Sequence, residues 1–180
     1  MDELEAYLQT LAAVNHRGAG FLAAYGTTWL AAALLWRLRG SVVGSYAALF
    51  QGMVALPLAL ALTALTASGP RPEGAALNQL AIYLSTGQLL VLPLAVVLVV
   101  RRRHLLAAAT LSTVMAVHLV PYSWLYRTPA YLGAAVVVAL ATAVLVGRHL
   151  GEEGEARTGG WVCASTGGAL LLGASAALLS

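Results

Sequence analysis

Apolar residues in this chain run in long blocks separated by short polar or charged interruptions, and no stretch keeps the strict alternation of a half-buried strand. A helix needs about 20 mostly apolar residues to cross the hydrocarbon core of a bilayer. Cutting the chain at its charged, Pro/Gly-rich and strongly polar points predicts six such helices, at residues 19–36, 41–66, 77–100, 104–125, 130–147 and 160–179. The last is the least lipophilic, being rich in Ala, Gly and Ser. Ahead of them, residues 2–17 set Leu4, Leu8, Leu11 and then Val14 and Asn15 at helical spacing, with Asp2, Glu3 and Glu5 in the first turn, where they complement the helix dipole. That segment reads as an amphipathic helix on the membrane surface, serving as a structural lid. The expected fold is therefore all-α, a single transmembrane domain over residues 1–180 with about six membrane helices.

Composition agrees with the pattern. Hydrophobic residues make up 60% of the chain and charged ones 9%, with a mean hydropathy of +0.82, whereas a soluble domain carries about 25% charged residues. Every basic residue is an arginine, and the charges gather at the ends of the apolar runs or between them. The net charge of +3 thus describes loops, not a surface for nucleic acid, and the bilayer is the expected partner. The acidic N-terminus and the lack of a small-x-small site after a short apolar core predict no cleaved signal.

Arginines also predict orientation, since cytoplasmic loops collect them. One face receives Arg17, Arg71 and Arg127; the other receives Arg37, Arg39, Arg101, Arg102, Arg103, Arg148 and Arg157. The richer face should be cytoplasmic, which puts both termini outside and makes Arg101, Arg102 and Arg103 a topology anchor. Trp36, Trp124 and Trp161 fall at predicted helix ends with Tyr126 and Tyr131, the level that aromatic belts occupy.

Within the predicted helices there is no Asp, Glu or Lys, so His118 is the one titratable side chain at depth apart from tyrosines. It lies roughly 21 Å along a helix that starts at residue 104. His118, Tyr122 and Tyr126 are four apart and share a face, with Met115 one turn earlier. Pro121 frees the carbonyl of Val117 beside them, making a polar notch. Gln88 and Tyr83 of the third helix are candidates to line the same notch. Other polar groups at depth (Gln51, Ser85, Thr86, Thr27 and Thr28) read as helix-to-helix bonds. Pro57 and Pro93 sit in similar Leu-Pro-Leu-Ala runs, which mark two kinked helices and not a duplication. Lone Cys163 cannot form an internal disulfide, and no carboxylate pair, HExxH or Ser/His/Asp set is visible, so no metal, cofactor or catalytic site is expected.

The run from His118 to Tyr131, H-x-x-P-Y-x-W-L-Y-x-[ST]-x-x-Y in His118, Pro121, Tyr122, Trp124, Leu125, Tyr126, Thr128 and Tyr131, resembles the signature of a family of small, functionally uncharacterised bacterial multi-pass membrane proteins. The N-terminal amphipathic segment is similar too. The resemblance implies a compact helical fold in a bacterial inner membrane and supplies no substrate.

Together these features point to a protein that binds or passes a small neutral solute at an outward-facing site of His118, Tyr122, Tyr126, Gln88 and Tyr83. The absence of buried carboxylates argues against an ordinary ion-coupled carrier. The rival reading is a scaffold or accessory subunit that docks a membrane partner or a second copy of itself through small-residue faces such as Gly40/Gly44, Ala164/Gly168 and Ala169/Gly173.

Overall fold

The structure, a computed structural model, describes residues 3–148 and 154–180, and every element in them is helical. Asp2, placed by the sequence in the first turn, lies outside the described residues. Helix α1 is Glu3–Val14, and after a 3-10 turn at His16–Gly18 comes α2, Ala19–Thr66. Then follow α3 (Ala75–Gly87), a 3-10 segment (Gln88–Val91), α4 (Leu92–Val100), α5 (His104–Leu125), α6 (Ala130–Gly147) and α7 (Glu155–Leu179). Five helical stretches are long and apolar enough to cross a membrane.

One of those five is twice the needed length. Forty-eight residues of α2 would span about 72 Å as a straight rod. The rod is broken at Gly40, whose φ of 81° and ψ of −175° only glycine adopts freely. The chain then folds back on itself. The Thr28 hydroxyl reaches Gln51 Oε1 at 2.8 Å, Gly44 packs on the Trp36 ring, and Gly20 packs on Leu62 and Thr63. α2 is thus a hairpin whose first arm runs to residue 39 and whose second starts at 41.

The first arm lies against α7, the most extensive helix pair in the molecule. Gly26 and Gly167 let the two backbones meet, since a Cβ on either would come within 3.0 Å of the other's carbonyl or its neighbours. α5, α6 and α7 join around a buried trio of hydroxyls: Ser112 Oγ is 2.9 Å from Thr142 Oγ1 and 2.6 Å from Thr166 Oγ1. Those bonds satisfy polar groups that have no water to turn to. The stretch from α3 into α4 is the most loosely held of the five and stays largely exposed along residues 79–90.

The small-residue pairs divide between inside and outside. Gly44 is filled by Trp36, and Gly173 sits against Ala134 and Leu22 beside buried Ala169, whereas nothing lies within 4 Å of a Cβ at Gly40 or Gly168. The aromatic residues at the helix ends divide in the same way. Trp124 and Trp161 are 50% and 48% exposed, but Trp36 is wholly buried, clasped between Gly44 and Gly159, and Tyr126 and Tyr131 are buried as well. Position at a helix end does not fix which way a ring points; the hairpin and α7 close over Trp36 from both sides.

The connections among the described residues sort to two ends. Gly40, the exposed Arg101–Arg102–Arg103 turn, and the pairs Ser45–His104 (2.8 Å) and Leu105 N–H to Glu155 (3.0 Å) lie at one end. At the other, Tyr131 Oη donates to the Arg17 carbonyl at 2.9 Å, His16 Nε2 lies 2.8 Å from the Thr66 carbonyl, and Thr128 meets Ser180 at 3.2 Å. Helix α1 is laid across this second end. It buries Tyr7, Leu8, Leu11 and Ala12, so its inward face is rotated from the expected one and Leu4 is 41% exposed.

Candidate functional site

The polar residues of α5 converge where the α3–α4 stretch breaks. Pro93 has no N–H to give and its ring obstructs the carbonyl four residues back, which is Leu89; the helix tightens into the 3-10 segment Gln88–Val91 just before it. That break lies level with the turns of α5 carrying His118 and Tyr122. Tyr122 Oη and Ser85 Oγ are 2.8 Å apart, and Ser85 is also 2.8 Å from the Ala81 carbonyl. With the serine proton given to that carbonyl, the phenol donates to Ser85. The His118 ring faces the Leu84 carbonyl, and the Gln88 amide faces the Tyr25 phenol of the first α2 arm. Tyr25 in turn offers its carbonyl to Thr28 at 2.9 Å.

Behind these groups the rings stack. His118 and Tyr122 have centroids 4.9 Å apart, Tyr122 lies 6.1 Å from both Tyr126 and Tyr131, and the last two are 5.6 Å apart and nearly parallel. Such offset pairs each add about 1 kcal/mol beyond area burial. Helical spacing puts His118, Tyr122 and Tyr126 on one line, α5 running on through Pro121 to Leu125. Tyr131 joins from α6 because the chain reverses at residues 126–129. The reversal is pinned by Ser123 Oγ donating to the Thr128 carbonyl at 2.7 Å and by Arg127 in the left-handed region, φ 53°.

Tyr126 follows the last turn of α5, 8% exposed. Burial, with the neighbouring Tyr122 adding to it, pushes its phenol up to about 12. Above it, α1 is fastened by Tyr7 Oη donating to Asn78 Oδ1 at 3.0 Å and by Arg127 Nη1 on Glu5 Oε2 at 2.6 Å.

Of the residues expected in the site, His118, Tyr122, Tyr126 and Gln88 come together. Tyr83 does not: it is 70% exposed and points away. The reason is helical geometry, since Tyr83 is two residues from Ser85, about 200° around the helix. Tyr25, Ser85 and Tyr131 belong to the cluster and were not anticipated there. A count of every hydroxyl in the apolar runs would have flagged Tyr25, three residues before Thr28; nothing local distinguishes Tyr131 from a belt residue. The arrangement supplies phenols, an imidazole, an amide, a hydroxyl and a backbone carbonyl, all able to hydrogen-bond without a formal charge.

A model of a family of unknown function, DUF7010, matches residues 4–165. No curated protein and no solved structure matches the chain.

Proposed function

The chain belongs to the DUF7010 family of unknown function, and on that premise we propose that it is a bacterial inner-membrane protein that binds or passes a small neutral solute at the site around His118, Tyr122 and Gln88. The observation that carries this reading is the convergence of neutral hydrogen-bonding groups from three crossings, Tyr25, Ser85–Gln88 and His118–Tyr122, on a break in the most loosely held crossing. Non-helical backbone at membrane depth is tolerated where it lines a polar site, and a broken helix supplies such a site with unpaired groups. Uncharged donors and acceptors on an aromatic wall suit a solute that is itself uncharged. By the arginine count the site opens outward, on the side of both termini, beneath α1.

The test is permeation and binding by the purified protein in proteoliposomes, with glycerol, urea and small amides as probes and light scattering as the readout. His118→Ala and Gln88→Leu should abolish uptake or lower it at least about tenfold, as loss of a buried polar contact does. Tyr83→Phe, on the face turned away from the cluster, should leave it unchanged. If wild-type vesicles are no more permeable than empty ones, and no probe shifts the His118 imidazole resonances, the reading is wrong.

A further inference from the structure

A second feature lies outside that cluster, on the surface of the α1-bearing end. A groove of about 290 Å3 runs between α1 and the α5–α6 turn, lined by Gln9, Ala12, Ala13, Arg17 and Arg127. Two arginines share it with one glutamine and two alanines. Arg127 is partnered by Glu5, the one ion pair among the described residues, so that cation is largely balanced. Arg17 has no carboxylate within ion-pair distance among the described residues, so the described lining together with Glu5 carries a net positive charge.

Both arginines hold left-handed backbone, φ 50° at Arg17 and 53° at Arg127, a conformation costly for a long side chain. Neither can relax easily. The Arg17 carbonyl accepts from Tyr131 Oη, and the Arg127 N–H donates to the Trp124 carbonyl at 3.3 Å. The tight reversals at the two positions therefore bring the cations to one groove from chain segments 110 residues apart in sequence. Planar guanidinium forks bind tetrahedral oxyanions with paired N–H bonds, and the Gln9 amide, which gives one N–H to Glu5 Oε1 at 3.2 Å, has a second to offer. The alanine methyls make the remaining wall apolar, as suits a ligand whose charged head continues into an uncharged body.

We propose that this groove is a binding site for a phosphate-type oxyanion, held by Arg17 and Arg127 and opposed by Glu5. The same phosphate chemistry is offered by an anionic lipid headgroup and by a free phosphate ion. Glu5 competes for Arg127, so removing its charge should strengthen binding while removing Arg17 weakens it.

The experiment measures binding to the full chain in two arms: phosphatidylglycerol against phosphatidylcholine in nanodiscs, read by retained lipid in native mass spectrometry, and inorganic phosphate in neutral detergent, read by thermal shift. Arg17→Gln should lose roughly fivefold in affinity and Glu5→Gln gain a few-fold, the scale of one exposed ion pair. Arg39→Gln, exposed at the opposite end, should change nothing. Selective retention of phosphatidylglycerol without phosphate binding identifies a headgroup site; phosphate binding in detergent identifies a site for the free ion. The proposal is overturned if Arg39→Gln weakens binding as much as Arg17→Gln, which would be bulk charge, or if neither ligand binds. A failure of Glu5→Gln to strengthen binding would overturn it too, and that variant keeps the native arginines should Arg17→Gln fold poorly.

Discussion

Single residues carry the sharpest consequences of this fold. Gly159 and Gly133 are both helical glycines, yet they face different surroundings. A Cβ at Gly159 would enter the Trp36 ring, whereas at Gly133 it would meet nothing within 4 Å. Gly159→Ala should therefore destabilise the protein by about 1–3 kcal/mol through overpacking, and Gly133→Ala should stabilise it by about 0.5–1 kcal/mol through lost chain entropy. Thermal unfolding in detergent would separate the two; equal effects would mean that Trp36 is not held between the helices as described. Tyr126 sets a pH dependence of its own. Its phenol ionises at about 12 in the folded state and at about 10 when unfolded. Its contribution to stability is thus complete below about pH 10 and is lost as pH climbs towards about 12. Absorbance of tyrosinate at alkaline pH should show this loss in the wild type and a smaller one in Tyr126→Phe.

Elements behave as they do because of where they break. Gly40 has open space around it, so replacing it tests conformation alone. Gly40→Ala should cost about 1–3 kcal/mol by forcing a side chain into positive φ, and a neutral result in thermal unfolding would argue that α2 is not a hairpin. The break between α3 and α4 has another cause. Pro93→Ala restores the missing N–H, so the 3-10 segment Gln88–Val91 should regularise. Slower hydrogen exchange at residues 88–92 would report that change, and under the proposed function uptake of solute should fall with it, since Gln88 would turn away from Tyr25. The small-residue stripe of α7 was legible as a close-packing face, but its customer was not. Much of it meets the first arm of α2, inside the chain.

The whole molecule is ordered by which segments share an end. Helix α1, the turn at Arg127 and Ser180 share one end, while Gly40, Arg102 and Glu155 share the other. In a Cys163→Ala background, cysteines at Thr10 and Ser180 should be labelled from the same side of an intact vesicle, and one at Arg102 only from the opposite side. Labelling of all three from one side would contradict the arrangement. The length and apolarity of the helices were readable because a bilayer demands both from each segment separately. So was the line His118–Tyr122–Tyr126, because residues four apart on one helix meet whatever surrounds them. The fold-back at Gly40, the burial of Trp36, the outward turn of Tyr83 and the entry of Tyr25 and Tyr131 into the ring stack were decided only by tertiary structure. In an apolar chain nearly every face is hydrophobic, so periodicity does not say which face meets protein and which meets lipid; only the packing of one helix on another does.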